Sequence, residues 1–122
     1  MANIDVRLSL HQDINLSGRR IVFRRGGIAI RDFGAFVFND QLSSFRVRNV
    51  VDSSAVTLIL FADNNFRGAT RVYRGNTVVN DLTDFNDQTS SLIVVGRRLS
   101  DAQVNRIIAN RRPPQDVLFV RS

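Results

Sequence analysis

The sequence predicts an all-β protein, a two-motif antiparallel β-sandwich followed by a short C-terminal helical extension. Three observations predict it. The 122-residue chain contains no Lys and no Glu, its 17 basic residues being Arg and its 11 acidic residues Asp. The two missing types are strong helix formers, whereas the abundant Val and Phe favour strands. Second, Asn39-Asp40-Gln41-Leu42-Ser43-Ser44 recurs 47 residues later as Asn86-Asp87-Gln88-Thr89-Ser90-Ser91, with five of six positions identical. Such self-similarity marks a tandem duplication of a unit just under fifty residues long. Third, the apolar segments are short and separated by Gly, Asn and Asp turn signals.

The elements follow in order. The first unit, about residues 4–49, offers strands at Val6 to Leu10, Arg20 to Arg24, Ile28 to Ile30 and Ser43 to Arg48, with Gly26-Gly27 as a turn. The second, about residues 55–96, offers Val56 to Phe61, Ala69 to Arg74, Thr77 to Asn80 and Ser90 to Val95, with turns at Asp63-Asn64-Asn65 and Gly75-Asn76. The Gly18-to-Asn39 and Gly68-to-Asn86 distances are 21 and 18 residues, so the first unit carries about three extra residues in a loop. Four strands per unit, twice over, make eight strands in two sheets. One unit cannot bury its apolar face alone, so the copies must pack together. Residues 97–122 form a basic extension. Ser100 and Gln103 fit a capping box, Leu99 and Val104 a hydrophobic staple, and Val104, Ile107 and Ile108 one apolar stripe. Arg111-Arg112 suits the negative end of a helix dipole and Pro113-Pro114 ends the helix, which spans about 101–110 before an extended Val117 to Val120.

Composition also excludes. A chain this long folds as one domain without staples. With no cysteine there is no disulfide, thiolate-bound zinc, iron–sulfur site or thiol nucleophile. No apolar run reaches membrane-span length, and Met1 to Arg7 lacks the segments of a signal peptide, so localisation defaults to the cytoplasm and no membrane partner is expected. One His, no Glu and no Gly-rich phosphate loop or nucleophile elbow leave no catalytic constellation, and an enzyme is not expected. Of the net charge of +6, residues 1–96 carry 11 Arg against 9 Asp and residues 97–122 carry 6 Arg against 2 Asp. The body is nearly balanced and the tail is basic.

The repeated hexapeptide carries the chemistry. A side-chain amide, a carboxylate, turn carbonyls and a hydroxyl at the mouth of a strand suit a hard cation such as calcium, which takes 6–8 oxygen ligands. Of the two serines that begin each strand, only one can face an ion, because successive strand residues point to opposite faces. One carboxylate per loop predicts weak sites, on the order of 10⁻⁶ to 10⁻³ M. The same residue types also cap turns without any metal, and two copies of one ancestor share structural residues too.

The remainder of the second unit bears on that choice. Phe61-Ala62-Asp63-Asn64-Asn65-Phe66-Arg67-Gly68 resembles the aromatic–four residues–aromatic–x–Gly hairpin of the βγ-crystallin superfamily, and Asn86 to Ser91 resembles the calcium signature of its microbial members. The resemblance covers about residues 4–96 and implies two Greek-key motifs making one domain. In the first unit His11, Leu16 and Gly18 take the hairpin positions, so both aromatics are lost. The resemblance further implies two calcium ions held reciprocally. The Gln41 carbonyl and Ser43 hydroxyl serve one ion, and those of Gln88 and Ser90 the other. Asp40 and Asp87, which follow Asn39 and Asn86, each reach across to the opposite ion, and a hairpin carbonyl near Gln12 or Ala62 completes each shell. Ser44 and Ser91 hydrogen-bond inside the fold. Family resemblance extends the reading to a structural protein associated with stress or dormancy.

A second reading rests on arginine. Arg-Arg pairs stand at 19–20, 24–25, 97–98 and 111–112, and the guanidinium fork suits phosphate or carboxylate, so nucleic acid or another polyanion is an alternative ligand. Residues 97–122 either pack on the chain's own sandwich, with Val117 to Val120 as an edge strand, or dock a second copy or a protein partner.

Overall fold

A computed structural model describes residues 5–32, 42–82, 89–114 and 117–119 of the chain. The first unit contributes β1 (Val6–Asp13), β2 (Ser17–Phe23), β3 (Ile28–Ile30) and β4 (Ser44–Asn49). The second contributes β5 (Thr57–Asp63), β6 (Arg67–Arg74), β7 (Thr77–Val79) and β8 (Ser91–Val95). Helix α1 (Asp101–Asn110) and the short β9 (Leu118–Phe119) follow. The eight expected strands are present. The hairpin strands run further than expected, β1 to Asp13 and β2 from Ser17, because the reversal between them takes only three residues and the ladder continues to Asp13 opposite Ser17.

Each unit lends its third strand to the other. One sheet has the order β2-β1-β4-β7 and the other β6-β5-β8-β3-β9. The exchange leaves neither unit with a complete sheet of its own, so the halves fold only together. All pairs among the eight strands are antiparallel, and β9 departs from that pattern by running parallel to β3 with Ile28 opposite Leu118. Alternation places Leu8, Leu10, Phe45 and Val47 of one sheet against Leu58, Leu60, Leu92 and Val94 of the other in the sandwich core.

The second sheet is buried on both faces. Its outward residues Ala29, Ile59, Phe61, Ile93 and Val95 form a second apolar cluster with Leu99, Val104, Ile107 and Val117 of the extension. Two hydrogen bonds fasten that cover, because Thr57 Oγ1 donates to the Arg97 carbonyl at 2.9 Å and accepts from Leu99 N at 3.0 Å. Arg74 adds Nε to the Leu99 carbonyl at 2.8 Å and Nη2 to Asp101 at 2.7 Å. The capping box forms in both directions, Gln103 N donating to Ser100 Oγ at 3.2 Å and Ser100 N to Gln103 Oε1 at 2.8 Å. Leu99 and Val104 are both buried, as a staple requires. Arg111 lies one step beyond the helix rather than in its last turn, as a left-handed C-cap with φ of 54° whose N–H bonds to the Ile107 carbonyl.

Candidate functional site

The two hairpins reproduce each other residue by residue. In β1–β2, Asn15 and Leu16 turn the chain with φ of 59° and 54°; in β5–β6, Asn65 and Phe66 do so at 59° and 61°. Asn tolerates the left-handed region, whereas Leu and Phe adopt it at a cost that surrounding contacts must offset. Ser44 and Ser91 supply those contacts. Ser44 Oγ donates to the Asp13 carbonyl at 2.6 Å and accepts from Leu16 N at 2.9 Å. Ser91 Oγ donates to the Asp63 carbonyl at 2.6 Å and accepts from Phe66 N at 3.0 Å. Each hydroxyl thus ties both ends of a strained turn to the first residue of the neighbouring strand. The glycine that follows is required: Gly68 has φ of +82°, and a Cβ there would lie 2.6 Å from Asp63 Oδ2. Gly18 has the same relation to Asp13.

Each hairpin tip also bonds to the opposite unit. Asn15 N donates to the Asn80 carbonyl at 2.7 Å, and Asn65 N to the Arg31 carbonyl at 2.9 Å. Beside each hairpin a repeated loop ends. Ser43 N donates to the His11 carbonyl at 3.0 Å and Ser90 N to the Phe61 carbonyl at 2.9 Å. Those bonds set Ser43 beside the residue before Gln12, and Ser90 beside the residue before Ala62. Both serines are buried, while Gln12 and Ala62 are half-buried. Of the expected metal ligands, Asn39, Asp40, Gln41, Asn86, Asp87 and Gln88 lie outside the described residues. Among the described residues no group of three or more His, Cys, Asp or Glu side chains stands together. The donors at the described loop ends are oxygens, hydroxyls and carbonyls, whose chemistry fits a hard cation.

The units differ where the sequence loses its aromatics. Phe61 and Phe66 meet edge-on at 5.6 Å within the second apolar cluster. In their places His11 is buried at 6% exposure and Leu16 half-buried. His11 Nε2 lies 3.2 Å from Ser9 Oγ, and the buried Nδ1 has no hydrogen-bond partner. Burial, aided by the Arg20 charge opposite, holds the imidazole pKa below its ordinary value, so the neutral ring is favoured. Thr89, at the position of buried Leu42, is itself fully buried and its hydroxyl has no partner.

The sequence reading counted arginines as adjacent pairs and missed those that alternate along strands. Val6-Arg7-Leu8 and Phe45-Arg46-Val47-Arg48 place their cations on one outer face, a signal available from the period of two.

No protein-family model and no curated protein matches the sequence. Solved structures do. A βγ-crystallin domain described under the evolution of the eye-lens domain fold is 25% identical, with a TM-score of 0.62 over 77% of this chain and 87% of that one. A variant βγ-crystallin domain from Clostridium beijerinckii is 21% identical, with a TM-score of 0.58 over 74% of this chain and 97% of that one. A βγ-crystallin from Ciona intestinalis is 20% identical, with a TM-score of 0.56 over 71% and 96% of the two chains. The two-sheet topology and these likenesses agree: the chain has the βγ-crystallin fold.

Proposed function

We propose that the chain is a calcium-binding structural domain, not an enzyme, whose two ions stabilise the sandwich and tie its units together. The observation that carries the proposal is the equivalent anchoring of two loops of repeated sequence, Ser43 against β1 and Ser90 against β5. Hydrogen bonds that occupy Ser44 and Ser91 inward agree with the inward role that the resemblance implies for them. Gln41 and Ser43 would hold one ion and Gln88 and Ser90 the other, with Asp40 and Asp87 crossing between them and the carbonyls at Gln12 and Ala62 completing the shells. A bound divalent cation supplies a cross-link between loop and hairpin and offsets the loop carboxylate. Two ions would add to a chain that already carries a net charge of +6, which weakens affinity. A stress- or dormancy-associated role belongs to the same proposal, since a fold stabilised by available calcium persists where unassisted chains unfold.

The test is a thermal melt of metal-stripped protein in EDTA, calcium and magnesium, repeated on Asp40→Ala/Asp87→Ala. Calcium at a hundred times its dissociation constant adds about 2.7 kcal/mol per site. A calcium-selective rise that the double substitution abolishes is expected. No shift at millimolar calcium would reduce both loops to turn chemistry.

A further inference from the structure

Three segments meet at the β3–β9 edge of the covered sheet and enclose a hollow of about 480 Å³. Arg31 follows the end of β3, and its carbonyl accepts from Asn65 N at 2.9 Å, which brings the tip of the β5–β6 hairpin alongside. The chain leaves α1 through Arg111, Arg112 and Pro113-Pro114, then returns as β9, whose pairing sets Phe119 opposite Ala29. Leu118 N donates to the Gly27 carbonyl at 2.8 Å and fixes that return. Phe66 and Phe119 supply the aromatic part of the lining, with ring centroids 6.2 Å apart. Phe66 is buried, whereas Phe119 is 40% exposed. Arg31 lies over the Phe119 ring, its Cζ 4.0 Å from the centroid.

Arg31, Arg111 and Arg112 therefore border an apolar floor; all three are exposed, and the described lining carries no acid. None of the three guanidiniums makes a hydrogen bond or ion pair with a described residue. Helix polarity accounts for only part of this charge. The C-terminus of α1 is equivalent to about half a negative charge, against the full positive charges of Arg111 and Arg112, and Arg31 belongs to no helix. Contact with the Phe119 ring holds Arg31 in place, and its N–H donors have no acceptor among the described residues. A phosphate ester brings about two negative charges and oxygens that match the guanidinium fork. Three arginines thus suit a diphosphate better than a monophosphate or a single carboxylate. Phe119 and the Pro113-Pro114 wall supply an apolar surface on which a base can rest. The volume is that of a small-ligand site.

We infer that this hollow binds a nucleoside diphosphate, its phosphates on Arg31, Arg111 and Arg112 and its base against Phe119. The site uses none of the expected calcium ligands, and it exists because the extension returns as β9 beside β3.

The test is equilibrium dialysis of radiolabelled ADP against the full chain, in EDTA at low salt so that no metal bridges the phosphates and screening is weak. One saturable site is expected, with adenosine and inorganic pyrophosphate each displacing ADP at least about tenfold more weakly than ADP itself. Arg31→Gln/Arg111→Gln removes two charge-assisted contacts and should weaken ADP binding about a hundredfold. Arg46→Gln/Arg48→Gln, the same change of charge at exposed positions of the other sheet, should leave it unchanged. Phe119→Leu keeps an apolar side chain but removes the ring, and should weaken ADP more than pyrophosphate. The four arginines are exposed and tolerate Gln, and melting temperatures matching the parent's confirm intact folds. Absence of saturable binding at millimolar ADP overturns the inference, as does pyrophosphate binding as tight as that of ADP, which would leave an anion site with no place for a base. An equal loss in both arginine pairs would reduce binding to net charge and overturn it too. Preference for an oligo-aspartate peptide over ADP would assign the hollow to an acidic chain and likewise overturn it.

Discussion

Truncating Ser91 tests whether one hydroxyl holds the second hairpin. Its Oγ donates to the Asp63 carbonyl at 2.6 Å and accepts from Phe66 N at 3.0 Å, and the residue is fully buried. Ser91→Ala removes both bonds. The Asp63 carbonyl belongs to an exposed residue and regains hydration in part, whereas the Phe66 N–H is buried. An unsatisfied buried group costs about 1–3 kcal/mol. Phe66 is also held at a φ of 61°, a strained conformation worth about 1–3 kcal/mol that this bond helps to maintain. Because the turn relaxes partly, the expected loss is about 2–4 kcal/mol, a large share of a typical total stability of about 5–15 kcal/mol. For a chain of this length that is a fall in melting temperature of about 8–16 °C. Urea unfolding in EDTA reads the loss directly, since Ser91 is not among the expected calcium ligands, and the m-value should not change. Ser44→Ala breaks the equivalent pair of bonds but exposes the amide of a half-buried Leu16, so its expected cost is smaller, about 1–3 kcal/mol. A loss below about 0.5 kcal/mol for Ser91→Ala would refute the reasoning and show that backbone pairing alone maintains the hairpin.

Three further outcomes are expected. His11 has a folded pKa below its unfolded value of 6.5, so the unfolded chain binds the extra proton; its contribution is intact above 6.5 and is lost as pH falls from there toward the depressed folded value. His11→Phe should flatten that part of the stability–pH curve, and an unchanged slope would place the titration elsewhere. Thr89→Val removes a buried hydroxyl that has no partner and should raise stability by about 1 kcal/mol in urea unfolding; a decrease would mean that the hydroxyl is satisfied. Ile107→Ala opens the cover over Phe61 and Val95 and should cost about 2–3 kcal/mol, whereas an unaltered melting temperature would mean that α1 does not contribute to folding.

The duplication, the eight strands and the capped helix were legible because each rests on local signals: a repeated hexapeptide, a period of two, and Ser100 three residues before Gln103. Strand exchange was not. Whether Ile28 to Ile30 and Thr77 to Val79 pair within their own unit or with the other depends on where the long connections return, and neither period nor propensity encodes that. Unbroken Leu58 to Phe61 and Leu92 to Val95, beside alternating Phe45 to Arg48, do encode a sheet buried on both sides, which makes the helix its cover. Of the candidate site, the inward roles of Ser44 and Ser91 followed from the family pattern and are seen in the hairpins. The extra length of β1 was hidden because Leu16 and Phe66 are poor turn formers by composition, and their left-handed geometry arises from tertiary hydrogen bonds.

Comparing equivalent positions shows what the extension does to an otherwise symmetric fold. Arg7, Ser9, Arg46 and Arg48 of the first unit correspond to Thr57, Ile59, Ile93 and Val95 of the second, at offsets of 50 residues in the hairpins and 47 in the closing strands. The same outward ladder sites are therefore polar, three of the four being Arg, on the open sheet and apolar or bonded to the tail on the covered one. Keeping an open face in water asks only for polar residues, and a mixture of signs serves that end with less repulsion. The extension thus divides an otherwise symmetric domain into a sheet covered from within the chain and a sheet whose outer ladder stays polar.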